Sequence, residues 1–213
     1  MVGIITVDDV IDIMERETTE DIERMAAIIP SDKPYLKTGI FETWKKRIPW
    51  LLLLMISATF TGKIITGFES ALSKYIILSS FIPMLMDTGG NSGSQASAEV
   101  VRSISLGQVE FKDILKIVWK EMRVGILCGL TLSVACFIKC LVLDQAPIMV
   151  AFTVSLTVIC AVLFAKTIAS SLVLIVSKMN LDPAVVASPM LTTIIDAISL
   201  LIYFSIATAV LHL

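Results

Sequence analysis

The segment PIMVAFTVSLTVICAVLFAKTIASSLVLIVS, residues 147–177, carries a single charged side chain, Lys166, along its whole length. A membrane-spanning helix needs roughly 20 mostly apolar residues, so this segment is long enough to cross a bilayer. Of the 213 residues in the chain, 56% are hydrophobic and 17% charged, whereas soluble domains have about 45–50% and about 25%. We therefore expect an all-α integral membrane protein that has the lipid bilayer as its solvent.

Four further apolar runs, at about 48–65, 72–104, 124–143 and 183–212, predict five transmembrane helices per chain. The second run is longer than a bilayer requires and is interrupted by Pro83 and a Gly/Ser-rich centre. Cytoplasmic ends of membrane helices are enriched in Lys and Arg. One side of the predicted bilayer has nine such residues: Lys45, Lys46, Arg47, Arg102, Lys112, Lys116, Lys120, Arg123 and Lys178. The other side has three: Lys63, Lys74 and Lys139. We therefore predict a multi-pass protein of the cytoplasmic membrane, with the N-terminus in the cytoplasm and the C-terminus outside.

Residues 1–29 differ in kind from the rest, and the first forty residues are polar. Residues 3–7 predict a short strand, and Thr6 with Asp9 has the pattern of a capping box that opens a helix. A second acidic helix is predicted over 17–29, followed by a linker that contains Pro and Gly. Because elements of this size cannot bury enough surface to fold alone, we interpret them as the end of a larger soluble domain.

Asp196 is a carboxylate inside the last apolar run, about thirteen positions into the predicted helix. A charged residue at the centre of a membrane helix costs about 2.5–3.5 kcal/mol on translocon scales, so it should face a cavity or a partner. Helical spacing predicts one polar stripe on this helix, made of Ser188, Thr192, Asp196, Ser199 and Tyr203. Such a stripe suits a water-filled passage for a cation, and Pro189, predicted inside the helix, would free a backbone carbonyl. The alternative is that Asp196 pairs with Lys166 and that the hydroxyls bond the backbone.

The segment PMLMDTGGNSGSQ, residues 83–95, is the second polar feature at membrane depth. Gly89, Gly93 and Ser97 form a ridge of small residues that lets another helix approach closely. Asp87 and Asn91 lie on the neighbouring helical face. Two interpretations remain open: a packing face, or a pore lining, since polar groups at membrane depth are tolerated where they face water or protein.

Two acidic residues, Glu121 and Asp182, are predicted at the cytoplasmic ends of the third and fifth helices. Asp182 before Pro183 has the pattern of an N-cap, and each acid can also belong to an acidic inner mouth that attracts cations. His212 is the only histidine, and the four cysteines lack CxxC spacing, so zinc sites and histidine-based catalysis are not expected.

These segments resemble the MgtE family of magnesium transport proteins. MDTGGNSGSQA, residues 86–96, is similar to the TGGNxGxQ signature of that family, and LDPA at 181–184 with SPMLTTIID at 188–196 resembles its last helix. KRIPWL at 46–51 resembles the entry to its first span, and GIITVDDV at 3–10 is similar to the end of a CBS domain.

The resemblance implies a homodimer of five-helix subunits with a pore at the two-fold axis, where Asp196 meets its symmetry mate around a hydrated ion. It divides the chain into the end of a CBS domain at 1–17, a cytoplasmic connecting, plug-like helix with its linker at 18–47, and a transmembrane pore domain at 48–213. It also implies a magnesium channel that conducts hydrated Mg²⁺ into the cell.

The chemistry of Mg²⁺ agrees with this expectation. Mg²⁺ prefers oxygen ligands and keeps several waters under one or two carboxylates, so paired Asp196 carboxylates, with Thr192 and Asn91 accepting from waters, would hold it. Asp87, Glu121 and Asp182 complete the predicted metal-contacting set. These residues do not separate Mg²⁺ from other hard divalent cations such as Mn²⁺, Co²⁺ or Ca²⁺.

Three other functions remain open at this stage: a secondary transporter coupled to Na⁺ or H⁺, a membrane-embedded metal-dependent enzyme acting on a lipid phosphate, and a structural subunit. We expect no enzyme activity and no nucleic-acid partner. The five unequal runs give no sign of the inverted repeats common in transporters, and Asp196 lies too deep for a reaction at a lipid headgroup.

Overall fold

A computed structural model describes residues 3–31, 33–186 and 189–212. In these ranges the chain forms seven α-helices: α1 Val7–Met25, α2 Ile40–Gly67, α3 Glu69–Lys74, α4 Ile82–Ser105, α5 Ile114–Val142, α6 Ile148–Lys178 and α7 Pro189–Leu211. Short 3₁₀ segments lie at Tyr35–Lys37, Ile76–Phe81, Phe111–Asp113 and Pro183–Val185. The prediction of an all-α fold is confirmed for the described residues.

The N-terminal residues differ from the prediction in the predicted strand and in the number of helices. Residues 3–6 have no regular structure, and α1 begins directly at Val7 after the Thr6 cap. The predicted strand is wrong because a strand needs a neighbour for its backbone N–H and C=O groups, and this chain supplies none to residues 3–6. The capping box of Thr6 and Asp9 is confirmed. Helix α1 is continuous from Val7 to Met25, so it joins the first predicted helix to the second and ends before the predicted limit at residue 29.

Four helices in the described ranges are long and apolar enough to cross a membrane: Ile40–Gly67, Phe111–Val142, Ile148–Lys178 and Pro189–Leu211. The remaining predicted span, 72–104, corresponds to α4, which has 24 residues and is therefore about 36 Å long at 1.5 Å per residue. Because it contains several glycines and serines and Asp87, α4 is less apolar than the four helices named above. That α4 crosses the membrane therefore remains a prediction.

Two prolines mark the places where the observed helices depart from the predicted spans. The predicted span 72–104 is broken before Ile82, and Pro83 lies in the first turn of α4, whereas the Gly/Ser-rich centre is continuous helix. Likewise the last predicted span, 183–212, is not one continuous helix, because Pro183–Val185 form a separate 3₁₀ segment and α7 is described from Pro189 onwards. The prediction that Pro189 lies six residues into that helix is therefore wrong. A proline is favoured in the first turn, where a backbone N–H would have no partner within the helix.

Helix α6 lies at the centre of the bundle, with α4, α5 and α7 packed around it, while α2 contacts α7 and is otherwise largely exposed. Two glycines bring α5 unusually close to α6. A Cβ at Gly125 would lie 3.2 Å from Leu163 Cα, and one at Gly129 would lie 3.1 Å from Ile159 Cα. These glycines are therefore required for the backbones to approach.

Helix α1 is attached to the membrane-spanning bundle at the short helix Pro183–Val185. The guanidinium of Arg24 donates to the carboxylate of Asp182 and to that of Glu20. Asp182 also caps the short helix, since the Ala184 N–H donates to its Oδ1 at 2.8 Å. The capping interpretation of Asp182 is thus confirmed, and the ion pair with Arg24 is an addition that the sequence did not indicate.

Asp21 opposes this attachment electrostatically. Burial, together with the carboxylates of Asp182 and Glu17, raises the pKa of Asp21 above its ordinary value of 3.8. A raised folded-state pKa means that the protonated form favours docking and that this contribution is lost as pH rises through the raised pKa. At neutral pH the Asp21 charge therefore weakens the contact that Arg24 makes.

We predict that Gly129→Val lowers the stability of the bundle by about 1–3 kcal/mol, the range for overpacking, because the new side chain has no space beside Ile159. Gly62→Val is the matched control, since a Cβ at Gly62 meets no atom within 4 Å. Thermal unfolding of the purified protein in detergent measures both. Equal melting temperatures for the two variants would contradict the close α5–α6 packing.

We also predict opposite effects at the junction of α1. Arg24→Gln should increase hydrogen exchange of the α1 amides at pH 7, whereas Asp21→Asn should decrease it, because the second variant removes a repulsive charge. Asp12→Asn, at an exposed position of the same helix, controls for the loss of a negative charge alone. Unchanged exchange in both test variants would show that this ion pair does not hold α1.

Candidate ion site

The candidate site lies where the first two turns of α7 face α4. Asp196 is seven positions after the first residue of α7, about 10 Å along the axis, and is therefore nearer the end of the helix than we predicted. Asp196 and Thr192 are both partly buried. The Thr192 hydroxyl donates to the Pro189 carbonyl at 3.0 Å, which leaves its oxygen free to accept.

Gly90 of α4 is the residue opposite this carboxylate. A Cβ at Gly90 would lie 3.5 Å from Asp196 Oδ1 and 3.6 Å from Thr192 Cγ2. These are ordinary van der Waals distances, so the α4 backbone at Gly90 lies directly beside both Asp196 and Thr192. The motif contains Gly90, but the sequence does not indicate a role for it. Which residue of α4 faces Asp196 depends on how α4 and α7 pack.

The glycine ridge of α4 packs against the neighbouring face of α7. A Cβ at Gly89 would lie 2.5 Å from Ser199 Oγ, and the side chain of Ile195 occupies the space beside Gly93. Gly89, Gly93 and Ser97 are all buried. The packing interpretation of the ridge is thus confirmed for these three residues, whereas the polar face of α4 beside them is open.

Asp87 and Asn91 lie on that open face and are exposed. The carboxylate of Asp87 acts on Asp196 through charge repulsion. Asp87 of α4 and Asp196 of α7 are therefore near enough for their like charges to interact, in a part of the bundle where the surrounding helices are apolar.

Neither carboxylate forms an ion pair in the part of the chain that the structure describes. Among residues 3–31, 33–186 and 189–212, no ion pair within 4.0 Å includes Asp196, Asp87 or Lys166. The alternative in which Asp196 pairs with Lys166 is therefore not found.

The predicted polar stripe of α7 is only partly open. Ser199 and Tyr203 are buried, 1% and 0% exposed, and the Tyr203 hydroxyl donates to the Leu78 carbonyl at 2.9 Å. The prediction that they line a passage is wrong, since the close approach at the glycine ridge places them inside the protein. Ser188 lies outside the described residues.

The two acids predicted at the inner mouth lie in different surroundings. Asp182 is partly buried at the junction with α1, where it binds Arg24. Glu121 is buried within α5, 4% exposed, and its carboxylate interacts electrostatically with Lys166 of α6. The structure therefore does not bring these two acids together with Asp196.

Within the described residues, no three His, Cys, Asp or Glu side chains come close enough to hold a metal ion. The geometry supplied by one copy is a carboxylate pair, Asp87 and Asp196, with the hydroxyl of Thr192 beside Asp196. These are hard oxygen ligands, of the type that Mg²⁺ and Ca²⁺ prefer. Such an arrangement can attract a hydrated cation through its waters.

Comparison with known proteins identifies the relatives of this chain. A protein-family model named MgtE, described as a divalent cation transporter, matches residues 82–206. The magnesium transporter MgtE of Thermus thermophilus is 36% identical over 212 residues, which cover 100% of this chain and 47% of that protein. The magnesium transporter MgtE of Bacillus subtilis is 36% identical, with 100% of this chain and 46% of that protein covered.

This chain thus spans just under half the length of these two relatives. The family match contains the whole of α4, α5 and α6 and most of α7. The chain therefore belongs to the MgtE family of divalent cation transporters, as its motifs predict, and is not an enzyme.

Proposed function

We propose that this chain forms the pore of a magnesium channel, in which Asp196 binds the hydration shell of the permeating ion. The observation that carries the proposal is a carboxylate within an apolar helix that has no cationic partner in the described residues and is repelled by Asp87. Such a charge is costly at membrane depth, and a cation with its water offsets that cost. Asp196 is therefore the expected ion ligand, with Asp87 adding to the negative potential.

A site with so few oxygen ligands suits an ion that keeps its hydration shell, such as Mg²⁺, better than an ion that must lose its water to bind. Mg²⁺ dehydrates reluctantly and binds through one or two carboxylates while it retains several waters. Thr192 beside Asp196 and Asn91 on the open face of α4 offer oxygens to those waters. The curated relatives named above are magnesium transporters, which supports the same ion for this chain.

A second copy of the chain would complete the pore. The open face of α4 carries Asp87, Asn91 and Gln95, all exposed in the single chain, and polar groups of this kind do not face lipid. In the proposed homodimer these faces meet at the two-fold axis, where the two Asp196 carboxylates share a hydrated ion. A two-carboxylate site also meets the requirement that a conducted ion leave as readily as it enters.

The proposed orientation places the α1 side of the bundle in the cytoplasm. Lys178 at the end of α6 lies 4.1 Å from the centroid of the Phe111 ring at the start of Phe111–Val142, so basic helix ends are neighbours on one side. Arg24 joins α1 to the same side through Asp182. This clustering agrees with the enrichment of Lys and Arg at cytoplasmic ends and supports an extracellular C-terminus.

We predict that Asp196→Asn abolishes Mg²⁺ entry into liposomes that contain the purified protein and a magnesium-sensitive dye, because the neutral amide no longer attracts the hydrated ion. Asp12→Asn, at an exposed position on α1, is the matched control and should leave entry unchanged. Uptake by Asp196→Asn at the wild-type rate would remove the site assignment.

The same liposomes separate a channel from a coupled carrier. Collapse of the Na⁺ and H⁺ gradients with ionophores should leave Mg²⁺ entry intact if the ion moves down its own gradient. Entry that stops when either gradient is collapsed would instead identify a secondary transporter with Asp196 as the coupling group.

A further inference from the structure

A cleft of about 530 Å³ lies between α4 and α5, on the side of α4 away from the glycine ridge. Its polar wall includes Asp87, Asn91 and Gln95 of α4, and its apolar wall includes Leu127 and Leu132 of α5. Lys166 of α6 also lines this cleft. One basic side chain is therefore in the same cleft as the polar face that we assign to the ion path.

Lys166 reaches the cleft from the centre of the bundle and is only 5% exposed. Its aliphatic part passes Gly125 of α5, where an added Cβ would lie 3.8 Å from Lys166 Cδ. Gly125 is four positions after Glu121 and therefore lies on the same face of α5. Gly125 therefore lies beside the path that the lysine takes between the helices.

Glu121 is the acidic group that the Lys166 charge acts on. The two groups do not form an ion pair within 4.0 Å in the described part of the chain. Both side chains are buried, so their interaction is screened less than that of a surface pair. The ammonium therefore interacts with Glu121 on one side and with the cleft on the other.

We propose that Lys166 weakens cation binding along the polar face of α4, and that Glu121 sets how much of the Lys166 charge acts there. The inference rests on the proposed function, because it concerns the affinity of the same ion path. A fixed positive charge beside the path lowers cation occupancy. It thereby helps a site that contains Asp87 and Asp196 to release a divalent ion, as conduction requires.

Neutralising the two groups should therefore change the Mg²⁺ dependence of entry in opposite directions. Lys166→Gln should lower the Mg²⁺ concentration for half-maximal entry several-fold and reduce the maximal rate, because the ion leaves more slowly. Glu121→Gln should raise that concentration several-fold, since the lysine charge is no longer balanced. Lys166→Arg should resemble the wild type, and the double variant Glu121→Gln with Lys166→Gln should fall between the single variants.

Lys120→Gln is the matched control. Lys120 is the residue before Glu121 and pairs with Glu99 of α4 at 3.0 Å, but both side chains are exposed, 59% and 64%. Solvent screens such a pair, so the same loss of charge should leave the half-maximal concentration unchanged.

The assay distinguishes failure of this inference from failure of the proposed function. Absence of entry with the wild type, or full entry with Asp196→Asn, would overturn the proposed function. With an active wild type and an inactive Asp196→Asn, the role of the charge pair would be overturned by shifts of the half-maximal Mg²⁺ concentration that have the same sign in Lys166→Gln and Glu121→Gln, or by no shift in either.

A purely structural role predicts a different result. Both variants would then have a lower rate of entry and a lower melting temperature, without opposite shifts of the half-maximal concentration. If Lys166→Gln does not fold, the direction of the Glu121→Gln shift against Lys120→Gln decides the question alone.

Discussion

The burial of the Asp196 carboxylate, with the like charge of Asp87 acting on it, is the constraint on which the proposed function depends. Two carboxylates act on one another across α4 and α7, and neither has a basic partner within 4.0 Å in the described ranges. In an apolar surrounding such a pair is unfavourable unless a cation or water reduces the field. In the proposed channel, this cost would be the source of the affinity of the pair for a divalent ion.

The small residues of α4 make this arrangement possible. Gly89 and Gly93 let α7 pack closely enough to bury Ser199 and Ile195, and Gly90 lies beside the Asp196 carboxylate. The ridge therefore holds α7 at a fixed distance and orientation, which a site for a hydrated ion needs. Helix α6, at the centre of the bundle, supports both helices and carries Lys166 to the opposite side of α4.

Much of this architecture could be predicted from local patterns, and the remainder depends on tertiary packing. The spans 48–65, 124–143 and 147–177 correspond to α2, α5 and α6 because hydropathy and length decide them. The separation of Pro183–Val185 from α7 was missed because an apolar pattern does not reveal where a helix begins. Tyr203 was assigned to an open stripe because spacing along one helix does not show which face another helix covers. The partner of Lys166 required the register between α5 and α6, which no single segment contains.

Replacement of Mg²⁺ by Mn²⁺ offers the most direct measurement, since Mn²⁺ is a hard divalent cation that scatters X-rays anomalously. Crystals of the protein grown with Mn²⁺ should show an anomalous peak on a two-fold axis between two Asp196 carboxylates, at a distance that leaves room for bound water. The peak should disappear in Asp196→Asn. A structure in which Asp196 faces lipid, or in which Mn²⁺ binds elsewhere and the Asp196 region is dry, would contradict the account.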